Sequence, residues 1–103
     1  MNDNSPIYPE IGFRLERIRK GFSDLTRADW SKRHGFNPTQ YSNWIKGTRR
    51  IPVECAERLC DRYGLTLDFI YRGREDGLSE NAMNALSDSL PIAGNTASRV
   101  KPV

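Results

Sequence analysis

The tightest constraint on this chain lies in residues 35–52, Gly-Phe-Asn-Pro-Thr-Gln-Tyr-Ser-Asn-Trp-Ile-Lys-Gly-Thr-Arg-Arg-Ile-Pro, whose punctuation marks out one short helix. Asn37 is a good N-cap, because its side-chain oxygen accepts from the free amides of a first turn. Pro38 follows at the first helical position, where a missing N–H does no harm. Gly47 ends the helix, most simply as a left-handed cap. With successive residues about 100° apart, Tyr41, Trp44 and Ile45 share one side of helix 38–46. Thr39, Asn43 and Lys46 fall opposite, Gln40 and Ser42 lie on the flanks, and Arg49 and Arg50 come directly after. One face is fitted to a core, the other to a negatively charged, hydrogen-bonding surface.

The preceding residues 23–36, Ser-Asp-Leu-Thr-Arg-Ala-Asp-Trp-Ser-Lys-Arg-His-Gly-Phe, predict a partner for that helix. Thr26 with Asp29 three residues on resembles a capping box, although Glu or Gln is the usual partner. A helix over 27–34 follows and Gly35 closes it. Only Gly35, Phe36 and Asn37 separate it from the next helix. Two short helices joined by so tight a glycine-containing turn form a helix-turn-helix pattern. Ser31 is small where the helices approach, Leu25 and Trp30 are apolar anchors, and Phe36 plugs the turn. Small hydrogen-bonding side chains bordered by cations are what a helix needs to enter the DNA major groove. Taken alone, helix 38–46 is equally an ordinary basic surface helix; the helix before it and the charge distribution decide between the two.

That charge is unevenly spread. The formal total is +3, yet residues 27–50 hold six Lys/Arg against one Asp/Glu, or +5. Residues 10–74 hold 14 against 8, whereas residues 75–103 hold 2 against 4. The positive charge concentrates on the helix pair, so a polyanion is the natural partner and its binding should depend steeply on salt.

Elsewhere the chain divides simply. Residues 1–8 are a polar, flexible leader. A first helix over 9–20 sets Ile11, Leu15 and Ile18 at core spacing, with Arg14, Arg17 and Lys20 outside as a solvated face. A fourth helix starts near Pro52 and ends at Gly64. Thr66 caps a fifth over 67–71, with Leu67 and Ile70 facing inward. Residues 72–77 form a hinge, and Ser79 caps a last helix over 80–90 with Met83, Leu86 and Leu90 on one face. That stripe has two fates: folding back on its own bundle, or packing against a second copy as a dimer interface. Residues 91–103 are small and polar, composition that favours disorder.

Residues 11–73 resemble the Cro/phage-repressor type of helix-turn-helix domain, the XRE family. The likeness rests on Ser31-Lys-Arg-His-Gly35-Phe-Asn37, on Tyr41-Ser-Asn-Trp-Ile-Lys-Gly47-Thr-Arg-Arg50, on Pro52, and on Leu59-Cys-Asp-Arg-Tyr-Gly64-Leu-Thr-Leu-Asp-Phe-Ile-Tyr71. It departs from the family pattern in a longer loop at 21–25, in Pro38 where many members carry a base-reading residue, and in His34 where an aliphatic one is usual. The resemblance implies an all-α fold, a compact five-helix, lambda-repressor-like domain over 9–73; beyond it the residues themselves read as a hinge and extra C-terminal helix over 74–90 and a disordered tail over 91–103. It also implies that helix 38–46 lies in the major groove while helix 27–34 crosses the backbone. Asn43 is then the leading base reader, since an Asn amide pairs with the N6/N7 edge of adenine. Thr39 meets a thymine methyl, and Gln40 reaches a base edge or a phosphate. Arg27, Ser42, Lys46, Arg49 and Arg50 hold phosphates, which position without specifying sequence. One module has a small footprint, so a homodimer on a two-fold-related site is expected.

Catalysis is not expected. His34 is the only histidine, at a core-like position, and no catalytic order, metal cluster or glycine-rich phosphate loop accompanies it. No cofactor or metal is implied. Cys55 and Cys60, five apart on one helix, cannot close an unstrained bridge. Cys60 falls on the apolar stripe with Ala56, Leu59 and Tyr63 as a small core residue, with Cys55 more exposed. Free thiols, a polar start without an apolar h-region, and no long apolar run all point to the cytoplasm. The sequence therefore reads as a bacterial or phage transcriptional regulator binding double-stranded DNA. Two rivals stay open: an antitoxin whose residues 75–103 neutralise a toxin, and a protein-interaction module that kept the fold and lost DNA binding.

Overall fold

Local capping chemistry cuts the chain into helices at the expected places. The computed structural model describes residues 7–88. In order these form α1 (Pro9–Phe22), α2 (Arg27–Arg33), α3 (Pro38–Lys46), α4 (Val53–Tyr63), α5 (Leu67–Arg72) and α6 (Glu80–Asp88), with no strand among the described residues. The Thr26 hydroxyl accepts from the Asp29 amide at 3.2 Å, and Asn37 Oδ1 accepts from the amides of Thr39 and Gln40 at 2.9 and 3.1 Å. Thr66 and Ser79 cap α5 and α6 in the same way, through the amides of Phe69 and Ala82. At the other end of α3, Gly47 adopts φ +82°, a left-handed conformation that strains any residue with a Cβ.

The helices enclose one core. Ile11, Leu15 and Ile18 of α1 meet Trp30, Phe36, Tyr41 and Trp44 from the α2–α3 pair, Ala56 and Leu59 of α4, and Phe69 and Ile70 of α5. Ser31 is fully buried and returns its hydroxyl to Arg27 O at 2.8 Å, so this hydroxyl is not left unpaired. α1 and α3 touch backbone to backbone: a Cβ at Gly12 would collide with the carbonyl of Ile45. The amides of Ile7 and Tyr8 both donate to Gly47 O at 2.9 Å, tying the chain entry to the end of α3.

Differences from the sequence expectation share a cause: contacts between segments distant in sequence. α1 runs two residues past Lys20, because Phe22 continues onto Tyr63 with ring centroids 4.4 Å apart. Arg14 and Arg17 are half-buried rather than solvated; Arg17 lies over the Phe69 ring at 5.6 Å and beside Glu75 at 3.9 Å, because α5 and the segment after it pack there. Cys60 is only half-buried, the inward stripe of α4 being Ala56 and Leu59, and burial still pushes its thiol up to about 11.

The last helix joins the same core. α6 packs along α1 and buries Ala82 and Leu86, with Leu78 just ahead of it. The approach is close: a Cβ at Gly21 would stand 2.8 Å from Ala85 O. The inward face therefore follows Ala82 and Leu86, one turn apart, while Met83 is 48% exposed. Leu90 lies outside the described residues, as do residues 1–6 of the leader and residues 91–103.

Candidate nucleic-acid interface

α3 presents the polar face that its sequence spacing demands. Tyr41 and Trp44 are buried against the bundle, which turns Thr39, Gln40 and Lys46 fully outward and leaves Ser42 and Asn43 half-exposed beside them. Asn37 and Pro38 fix where the helix starts, so the phase of this ridge is set by its cap.

The turn after Gly47 folds back onto the last turn of α3. Asn43 O accepts from the amides of Thr48 and Arg49 at 3.1 and 3.3 Å and from the Thr48 hydroxyl at 3.2 Å. This holds Arg49 and Arg50 beside the polar face, where Gln40, Asn43, Trp44, Arg49, Arg50 and Pro52 line an open hollow of about 380 Å³. The Arg50 guanidinium lies 4.5 Å from the centroid of the Tyr71 ring. Tyr71 donates its hydroxyl to Ile51 O at 2.5 Å, so α5 supports the α3–α4 loop from beneath. Burial pushes the Tyr71 hydroxyl above its ordinary range, with Arg50 working against it. Among the described residues Lys46, Arg49 and Arg50 make no salt bridge, so their charge stays available to an anion.

Arg27 sits differently from the other expected phosphate contacts. Its Nε donates to Glu16 Oε1 at 3.0 Å while the side chain stays 61% exposed. Glu16 also accepts from Arg19 Nη2 at 2.8 Å, from Arg19 Nε at 3.1 Å and from the Tyr41 hydroxyl at 2.8 Å. Burial alone would raise this carboxyl; the hydrogen bonds from Arg19, Tyr41 and Arg27 outweigh it and hold Glu16 at about 2. Burial and Glu16 together push the Tyr41 hydroxyl well above the usual phenol range. One carboxylate thus ties α1, α2 and α3 together directly behind the polar ridge. Sequence reasoning missed it, and the only local signal is the Glu16–Arg19 spacing of three; Arg27 and Tyr41 lie 11 and 25 residues away.

The remaining singled-out residues serve the frame. His34 caps α2 and is half-buried. Its Nδ1 lies 2.9 Å from Trp30 O, a group that only accepts, so Nδ1 carries the proton; Nε2 then accepts from the Tyr63 hydroxyl at 2.8 Å. Burial lowers its pKa below the usual imidazole value, against the Trp30 hydrogen bond. Of the three residues expected on a self-association stripe, Leu86 is 2% exposed inside its own chain, Met83 faces outward and Leu90 is not described. Among the described residues no helix is long and apolar enough to cross a membrane.

No family model, curated protein or solved structure matches this chain.

Proposed function

We propose that this chain binds double-stranded DNA sequence-specifically as a transcriptional regulator of the bacterial or phage repressor kind. In this reading α2 and α3 are a helix-turn-helix within a lambda-repressor-like domain, and α3 enters the major groove. The observation that carries it is the outward face of α3: Thr39, Gln40 and Asn43 flanked by Lys46, Arg49 and Arg50, none of which spends its charge on a salt bridge within the described residues. Asn43 reads an adenine edge, Thr39 and Gln40 contact neighbouring bases, and Ser42, Lys46, Arg49 and Arg50 hold phosphates. Arg27 keeps terminal nitrogens for a phosphate while its Nε stays on Glu16. Two copies on a two-fold-related site would supply the footprint that one module lacks. It is a binding role without catalysis.

Selecting duplexes from a random pool with the purified protein tests this directly. The expected result is an enriched motif and an affinity that falls steeply between low and near-physiological salt. No duplex binding at low salt, or binding indifferent to salt, would refute it.

A further inference from the structure

α3 has two flanks, and each is bordered by a basic hollow. At about 100° per residue, Gln40 and Asn43 lie on one side of the exposed Thr39–Lys46 line and Ile45 on the other. The Gln40 side carries the hollow with Arg49 and Arg50. The Ile45 side opens onto a cleft of about 470 Å³ between α1 and α3, whose lining includes Phe13, Glu16, Lys20, Arg27, Ile45 and Lys46. Three cations from three different helices converge there. Lys20 and Lys46 form no salt bridge among the described residues, and Arg27 commits only its Nε. Glu16 is saturated by Arg19, Arg27 and Tyr41, so its charge is already answered. Glu10, the other carboxylate of the lining, stands ten residues from Lys20, about 15 Å away along α1 at 1.5 Å per residue. Phe13 is 73% exposed and shares a helical stripe with Lys20, seven residues on.

We propose that the α1–α3 cleft takes the sugar-phosphate backbone of one DNA strand, with Lys20 on a phosphate and Phe13 against the sugars. This rests on the DNA-binding reading and extends it to α1. An α-helix with its side chains is about 10–12 Å across, and the major groove is about 12 Å wide. A helix filling that groove has one strand along each flank. Arg49 and Arg50 meet the first; Lys20, Arg27 and Lys46 meet the second. An exposed ring beside the cations offers apolar surface where a strand presents its deoxyriboses.

The test compares full-length wild type, Lys20→Gln, Phe13→Ala and Arg49→Ala on one mixed-sequence duplex across a salt series, with circular dichroism of each variant. Both new sites are exposed, so each variant should retain wild-type helicity. Lys20→Gln should lower the slope of log affinity against log salt by about one, as loss of one phosphate contact does. Phe13→Ala should weaken binding several-fold at unchanged slope. If Arg49→Ala weakens binding while the two α1 variants match wild type, the cleft proposal is overturned and the proposed function stands. If wild type binds no duplex, both fall. If Phe13→Ala instead lowers the sedimenting mass of the free protein, the cleft holds a second copy and the strand assignment is wrong.

Discussion

Replacing Glu16 with alanine should destabilise the fold far more than a charged residue on a helix usually does. The substitution strands the Tyr41 hydroxyl, in a residue 1% exposed, and leaves Arg19, whose side chain is 13% exposed, without its counter-charge. A buried hydroxyl left without a partner costs about 1–3 kcal/mol, and breaking a buried ion pair about 3–5 kcal/mol. Arg27 is largely exposed and adds little. The two principal losses share one carboxylate, so roughly 3 kcal/mol is expected rather than their sum. A domain of this size should then melt roughly 12–24 °C lower. The pH dependence offers a second handle. The carboxyl titrates near 2 in the fold against 4.5 when free, so the unfolded chain takes up its proton first as pH falls. The contribution is complete above about pH 4.5, declines through the window between 4.5 and 2, and is gone below it. Chemical denaturation of wild type and variant at pH 7, 5, 4 and 3 (roughly spanning that window) measures both effects. A difference under about 1 kcal/mol at pH 7, or one unchanged at the acid end, would refute the reasoning.

Four further outcomes are expected. On the proposed reading, Asn43→Ala should lose about 1–3 kcal/mol on the preferred duplex and relax preference at one position, whereas Lys46→Ala should weaken all duplexes alike and lower the salt slope by about one; equal loss on specific and random DNA for Asn43→Ala would dismiss it as the base reader. Tyr71→Phe keeps a ring under Arg50 and should retain wild-type salt slope, while Tyr71→Leu should match Arg50→Ala, and a double variant no worse than either single one would show the two act together. Leu86→Ala should cost about 2–5 kcal/mol, measured by thermal unfolding, since its side chain completes the core beside α1. Truncation after Asp76 removes Leu78, Ala82 and Leu86 together, so the shortened chain should show reduced helicity and a broadened, lower transition; an unchanged melting curve would mean α6 contributes nothing to the bundle.

Most helix boundaries were legible because they are written in single residues. Thr26, Asn37, Thr66 and Ser79 each cap the helix that the sequence assigned to them, and Gly47 closes α3. The phase of α3 followed from Tyr41 and Trp44, so the outward set Thr39, Gln40, Asn43 and Lys46 was legible too. What stayed hidden depends on who meets whom. Helical spacing set Met83 with Leu86 and Leu90 on one face of α6, but α6 turns its Ala82–Leu86 side to the core, so the smaller Ala82 is buried and Met83 is left 48% exposed. In the sequence Glu16 is one charge among several on an arginine-rich helix, because Tyr41 and Arg27 reach it only after the chain has folded.

The missing side chain at Gly12 has a mechanical consequence. With Ile45's backbone lying directly against that of α1, and Glu16 gripping Tyr41 further along, α1 and α3 must move as a single body. A misfit between α3 and any surface it meets cannot be relieved by swivelling the helix. It falls instead on the partner's own shape and on the long outward chains of Lys46, Arg49 and Arg50. The ordering cost of docking is then confined to a few rotamers, about 0.5–1.5 kcal/mol for each side chain immobilised. On the proposed reading, a rigid probe of this kind would sense how readily the duplex deforms as well as what chemical groups it displays.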